Sequence, residues 1–277
     1  MDVDRVAHFF QEKQIQPFSS IKTTLITGSA QMAIDAGINA KTVFDHVDIY
    51  EAPGYVRPKT KSITIPFPGM PFKVLSAKYS RSIKGVVKDL NDVDPNKVRK
   101  GNKGCFPNQV ALDISLKDKN VNVMIFPHYI KVSGSNCIEH ITAAFIVTKA
   151  ILYGIQLKLE NEGRPERVFQ NPLILTEICI EMTNVNFKLG YAIKPLVLCE
   201  LANRHGLYSP PEEGSNVVRI LYDMGKKTSK GEDRYYNFRI MNTGSVVFSG
   251  NNRTEMEPIY NQFMHFISLV EDQIRFD

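Results

Sequence analysis

The sequence has little of what metal sites, disulfide frameworks and most enzymes need. Its four cysteines, Cys105, Cys137, Cys179 and Cys199, form no Cys-x-x-Cys pair and have no histidine cluster near them. Free thiols in a reducing compartment are therefore expected, and no metal site. No run of 18 or more apolar residues occurs, so no segment is expected to span a membrane. The N-terminal stretch MDVDRVAHFFQEKQ is charged and lacks the apolar region of a secretion signal, which predicts an intracellular location. Phosphate-loop, dinucleotide, zinc-protease and nucleophile-elbow motifs are all missing; GKKT at Gly225 to Thr228 lacks the upstream glycine of a phosphate loop. The six histidines are scattered, and Asn252-Arg253-Thr254 reads as a chance glycosylation sequon. With no carboxylate cluster at metal spacing either, the expectation is a protein that is not an enzyme and carries no cofactor.

A hydrophobic content of 43% suffices for a core, and 277 residues can make one large domain or two smaller ones. The net charge of +5 is unevenly spread. From Arg57 to Lys103 there are twelve Lys or Arg against three acids, Asp89, Asp92 and Asp94; this segment carries +9 and the remainder −4. A basic segment on a near-neutral body suggests a polyanion partner, the alternative being a solvated loop kept basic for solubility.

The most informative feature is a duplication. VNVMIFPHYIKVSGSN (Val121 to Asn136) and YNFRIMNTGSVVFSGNN (Tyr236 to Asn252) each read as an apolar strand, a turn, and a second strand ending in Ser-Gly. Past Gly134 and Gly250 the match is expected to continue without a gap. It would pair Ala143 with Ile259, Ala144 with Tyr260, Val147 with Phe263, Ala150 with Phe266 and Ile151 with Ile267, at helical spacing. Upstream, Ile21 to Thr27 and Thr176 to Phe187 read as strands. Ile38 to Val47 and Lys194 to Gly206 read as helices, the latter with Pro195 in its first turn and Gly206 as its stop. Further strands are expected at Gln109 to Ser115, Val217 to Leu221, Tyr235 to Met241 and Ser245 to Ser249. The last helix is expected to start near Thr254 or Pro258, capped by Thr254 or Glu257. A hairpin covered by one helix keeps one face bare. Two such units joined edge to edge would give one long sheet with helices on one side and an open face on the other.

These residues resemble a known family. Met124-Ile125-Phe126 with Lys131-Val132-Ser133-Gly134, and Arg239-Ile240-Met241 with Val246-Val247-Phe248-Ser249-Gly250, are similar to the paired signature of the TATA-box-binding protein family. KPLVLCELANRHG (Lys194 to Gly206) and ILYDM (Ile220 to Met224) resemble two further family segments. GCFPNQVALDI (Gly104 to Ile114) resembles the divergent versions of large DNA viruses of eukaryotes. The resemblance covers about two thirds of the chain, and the order and duplication of its motifs carry it.

The resemblance implies an α+β saddle of two tandem repeats forming one curved antiparallel sheet with helices on the convex face. It places repeats at 1–157 and 173–277, a connector at 158–172, and a basic insertion at about 52–104, read as a loop or small hairpin, partly flexible. It implies a general transcription factor that binds and bends A·T-rich double-stranded DNA through the minor groove. Apolar side chains would wedge between base steps. Expected partners are a transcription factor IIB-like protein and an RNA polymerase, in a nucleus or cytoplasmic viral factory and with no membrane. Carried over by position, Phe126 matches the wedge phenylalanine and Phe106 its partner, with Met124, Lys131 and Ser133 on the same face. In the second copy Asn184 matches the central asparagine, with Asn186 facing the same way. Val247 and Ser249 match the following Val-x-Thr, and Arg239, Met241 and Val217 fall in the same contact set. Met241 and Val217 replace aromatic wedges, and Lys22 or a neighbour is expected where the first repeat would carry its asparagine. A protein-interaction or particle-structural module on the same fold is the alternative these departures favour.

Overall fold

Alternation of β-branched residues with polar ones dictates strands, and the computed structural model has ten among its described residues. It describes residues 16–33, 35–50, 72–80, 82–85, 108–116, 119–210, 216–227 and 231–276. The fold is α+β, and the neighbouring strands within each unit are antiparallel. Two compact units are present. Ile26–Glu181 makes the first; Met182–Asp277 together with residues up to Leu25 makes the second.

In the first unit the strands are β1 (Thr23–Gln31), β2 (Phe72–Tyr79), β3 (Ser82–Gly85), β4 (Val110–Leu116), β5 (Asn120–Ile125) and β6 (Tyr129–Ser135). Their order is β3-β2-β4-β5-β6-β1. Helices α1 (Ala40–His46) and α2 (Ile138–Asn161) pack on one face. There Leu112, Ile114, Val123, Ile125, Ile130 and Val132 meet Val43, Ile141, Phe145 and Leu152 in one core cluster, all buried. Asn39 caps α1 by accepting from the Thr42 amide at 3.1 Å. Lys84, on the hairpin β2–β3, closes the other end by donating to the Phe44 and Asp45 carbonyls at 2.7 and 2.8 Å. The basic segment is thus partly structural: Lys84 holds a helix end, and Lys73 lies 3.3 Å from the Tyr50 ring centre. Most of the expected insertion lies outside the described residues.

The second unit holds β7 (Cys179–Lys188), β8 (Val217–Lys227), β9 (Asp233–Met241) and β10 (Ser245–Gly250), ordered β7-β10-β9-β8. Helices α3 (Pro195–Arg204) and α4 (Arg253–Ile274) complete it. Its core is aromatic. Phe238 stacks on Phe248 at 3.9 Å and on Phe263 at 4.0 Å, while Phe187 and Tyr260 close the cluster edge-on. The chain's N-terminal end completes this core from far away in sequence. Phe18 and Ile21 are buried in it. Arg253 lies over the Phe18 ring and donates to the carbonyls of Phe18 and Ile21 and to Thr23 Oγ1. The Tyr260 hydroxyl donates to the Gln16 carbonyl at 2.7 Å, and burial pushes its pKa well above the ordinary phenol value.

Several sequence expectations need correction. Within the expected 158–172 connector, α2 runs on to Asn161, and Val168 and Phe169 are buried in the first unit's core. Apolar runs also understate α2, which by length and composition could cross a membrane; Ile141, Phe145, Leu152 and Leu159 are buried in the core, while Ile138, Ile146 and Leu157 are exposed. The last helix starts at Arg253, and its cap is neither Thr254 nor Glu257 but Asn252, which accepts from the Thr254 amide at 3.0 Å. Pro258 then sits inside the helix.

The expected ungapped match past the two glycines also slips. Cap Cys137 lies three residues beyond Gly134, and cap Asn252 two beyond Gly250. The buried stripes therefore pair Phe145 with Tyr260, Leu152 with Ile267 and Leu159 with Ile274. The two glycines serve different needs. Gly134 has φ +98, a conformation L side chains rarely adopt. At Gly250 a Cβ would stand 2.6 Å from Met256 Cγ, so α4 could not lie this close. Asn252→Ala should lower stability by about 1 kcal/mol, read as a thermal midpoint shift. Thr254→Ala, which leaves that cap intact, should move the midpoint far less.

Candidate nucleic-acid interface

Because successive strand side chains point to opposite faces, the residues between the core positions line the face away from the helices. Register arranges them in cross-strand rows. In the first unit one row runs Ala111, Met124, Lys131, Ser29, and the next runs Asp113, Asn122, Ser133, Thr27. Beyond them, at the end of β5 and start of β6, Phe126 and Tyr129 stack at 4.2 Å with planes 12° apart. In the second unit the matching rows are Arg219, Arg239, Val247, Asn186 and Leu221, Asn237, Ser249, Asn184. Val217 stands opposite Met241 at the end that corresponds to the aromatic pair.

The helix-free faces therefore carry Met124, Phe126, Lys131 and Ser133 in the first unit. In the second they carry Asn184, Asn186, Val217, Arg239, Met241, Val247 and Ser249. Phe106 lies outside the described residues. One placement changes. The residue standing opposite Ser133 as Asn184 stands opposite Ser249 is Thr27, so Lys22 does not fill the asparagine's position. Pairing strand by strand shows this; the sequence hid it because the match before the hairpin is weak.

The two faces differ chemically. In the first unit Lys131 forms an ion pair with Glu181 at 2.5 Å, with both side chains about one third exposed. Asp113 holds that row in place, accepting from Asn122 Nδ2 at 3.0 Å and from Ser76 Oγ at 2.9 Å. Burial raises the Tyr129 pKa, the nearby Lys131 partly opposing it, so the phenol stays neutral at physiological pH. In the second unit the equivalent of Asp113 is Leu221. The Oδ1 atoms of Asn237 and Asn184, on either side of Ser249, are buried, and neither accepts a hydrogen bond among the described residues. An amide flip would leave a buried donor in place of the acceptor. Arg219, Asn122, Asn237 and Tyr129 join the predicted set by position. Period-two spacing marks their faces, but only the register makes them neighbours.

Among the described residues no group of three His, Cys, Asp or Glu could hold a metal ion. Cys137, Cys179 and Cys199 are free thiols. His140 lies beside one of them, its Nδ1 3.0 Å from Cys137 Sγ and 3.1 Å from Ser135 Oγ.

No protein-family model and no curated protein matches the chain. A solved structure, that of Methanococcus jannaschii TBP, is similar to it over 92% of this chain and 99% of that chain, with 14% sequence identity and a TM-score of 0.42.

Proposed function

We propose that this chain is a TATA-binding-like transcription factor, of the divergent kind that resembles the versions of large DNA viruses. In this reading its two units are tandem repeats of a saddle. The saddle binds and bends A·T-rich DNA through the minor groove and recruits a transcription factor IIB-like protein and an RNA polymerase. It needs no cofactor and catalyses nothing. One observation carries the reading. All eleven described residues picked by motif resemblance fall on the helix-free faces, none on the core side. Such a face, made of amide, hydroxyl and small apolar groups with an aromatic pair at one end, suits a groove that offers few hydrogen-bond signals.

A second reading, an interaction module with reduced DNA specificity, draws on the Lys131–Glu181 pair and on Val217 and Met241 in place of aromatic wedges. Fluorescence anisotropy at low salt, with A·T-rich and G·C-rich duplexes of equal length, separates the two. The first reading expects tighter binding to the A·T-rich duplex and a bend in it by energy transfer between its ends. Equal retention of both duplexes without bending leaves the interaction module.

A further inference from the structure

Where β6 ends at Ser135 and α2 starts at Ile138, the chain gathers three side chains able to give or take a proton. His140 Nδ1 stands 3.0 Å from Cys137 Sγ and 3.1 Å from Ser135 Oγ. The Ser135 hydroxyl donates to the Cys137 carbonyl at 3.2 Å and accepts from the Cys137 amide at the same distance. With the hydroxyl proton directed at that carbonyl, Nδ1 is left to accept from the thiol. Ser135 is fully buried. Sulfur and imidazole are therefore held together by an anchored turn, not by two loose surface side chains.

Cys137 occupies the N-cap of α2, where side chains commonly bond the first-turn amides, yet its own makes no such bond. The sulfur is turned to the imidazole instead. The N-terminus of this 24-residue helix favours the negative sulfur that forms as the proton leaves. Glu139 is the acid beside the pair. Its own amide, then the Cys137 thiol, hold its carboxyl below the ordinary carboxylate value; burial opposes them and the His140 charge adds to them. A carboxylate there steadies the imidazolium formed when Nδ1 takes a proton. Cys137 is half-buried, and its neighbours Asn136, Ile138 and Glu139 are exposed, so a small reagent can reach the sulfur. The other described thiols lack this arrangement. Ser209 and Asn203 engage Cys199, and Cys179 is exposed with no histidine bonded to it among the described residues.

We propose that Cys137, with His140 as its base, is a modification site for small disulfides of the glutathione class. A nucleophile and a base within hydrogen-bond reach, the base steadied by a third group, make an activated thiol. His140 Nδ1 takes the thiol proton as Cys137 Sγ attacks one sulfur of the disulfide. The reagent's S–S bond breaks and a new one joins Cys137 to one half. The other half leaves as a thiolate and recovers the proton. Cys137 is oxidised, the departing half is reduced, and no further oxidant enters. The step is stoichiometric. It takes place beyond the open end of the β5–β6 hairpin, away from Phe126 at the turn, and so stands apart from the DNA-binding reading.

The test treats the full, reduced chain with glutathione disulfide and follows each cysteine by peptide mass mapping. At neutral pH Cys137 should be modified first, ahead of the more exposed Cys179. His140→Asn keeps a hydrogen-bonding group near the sulfur but no base. It should slow Cys137 about tenfold at neutral pH. At about pH 9.5, above the ordinary thiol value, the sulfur ionises without help and the gap should close. Modification of Cys179 ahead of Cys137 in the wild type overturns the proposal, and that arm needs no variant to fold. So does a His140→Asn chain that reacts at the wild-type rate at both pH values. A rate lowered equally at both also overturns it, since His140 would then only shape the turn.

Discussion

Phe238→Ala should destabilise the second unit by about 3–5 kcal/mol, the range for removing a buried aromatic ring from a packed core. Phe238 has no exposed surface. It lies between Phe248 at 3.9 Å and Phe263 at 4.0 Å, both stacked, and meets Tyr222 edge-on at 5.6 Å. Removing it empties the centre of the cluster, and each neighbour loses a ring face. Domains of this size hold roughly 5–15 kcal/mol in all, so the change consumes a large share. The neighbours cannot close the gap easily. Phe248 and Phe263 approach from β10 and α4, and Phe18 braces Phe248 edge-on from the N-terminal end. Urea unfolding followed by circular dichroism measures the loss; with no tryptophan in the chain, tyrosine fluorescence is the second probe. Leu196→Ala, at a position 82% exposed, should change stability by no more than about 0.5 kcal/mol. A Phe238→Ala cost below about 1 kcal/mol would mean the stacked cluster is not the unit's core.

That prediction could not have been written from the sequence. The apolar stripe of the last helix and the alternation of its hairpin were legible, and Phe238 and Phe248 were readable as inward-facing. Their mutual stacking depends on register between β9 and β10, which period-two spacing does not fix. Phe18 and Ile21 were invisible as core residues because they reach it from more than two hundred positions away. The same limit explains Lys84. Within a basic segment it reads as a solvated or anion-binding charge, and only folding puts it at the end of α1.

The slip between the two long helices has a related cause. Gly134 and Gly250 mark the hairpin ends equally well, but cap position decides where the helical phase begins, and the caps lie at different distances from the glycines. The candidate interface was legible to the extent that it depends on side-chain direction alone. Phe126, Met124, Asn184 and Ser249 needed only alternation and a motif. Arg219 needed its partner strand, and Thr27 needed both the strand and its equivalence to Asn184.

Phe126→Ala should abolish most of the DNA bend while leaving non-specific affinity nearly unchanged, if the proposed minor-groove reading holds. The ring sits just past β5, half-buried and stacked face to face on Tyr129 at 4.2 Å. It is therefore presented at the end of the face as a rigid two-ring block rather than as a loose side chain. Such a block can enter a base step, at a cost of roughly a few kcal/mol in lost base stacking that new contacts on bent DNA offset. Truncating it removes the wedge but no cation, so the salt dependence should stay as in the wild type. Folding should survive, because the stack contributes only about 0.5–1.5 kcal/mol and lies outside the core. Tyr129→Ala should weaken the bend less, since Phe126 remains, though with its orientation less fixed. Met241→Ala should have the smallest effect, because Met241 faces Val217 and belongs to no aromatic block. Energy transfer across an end-labelled A·T-rich duplex, compared at matched occupancy, ranks the three variants. If Phe126→Ala bends DNA as the wild type does, this end of the first unit is not the wedge. The bend would then have to arise from contacts along the rows themselves, where Asn184, Asn237 and Ser249 lie together.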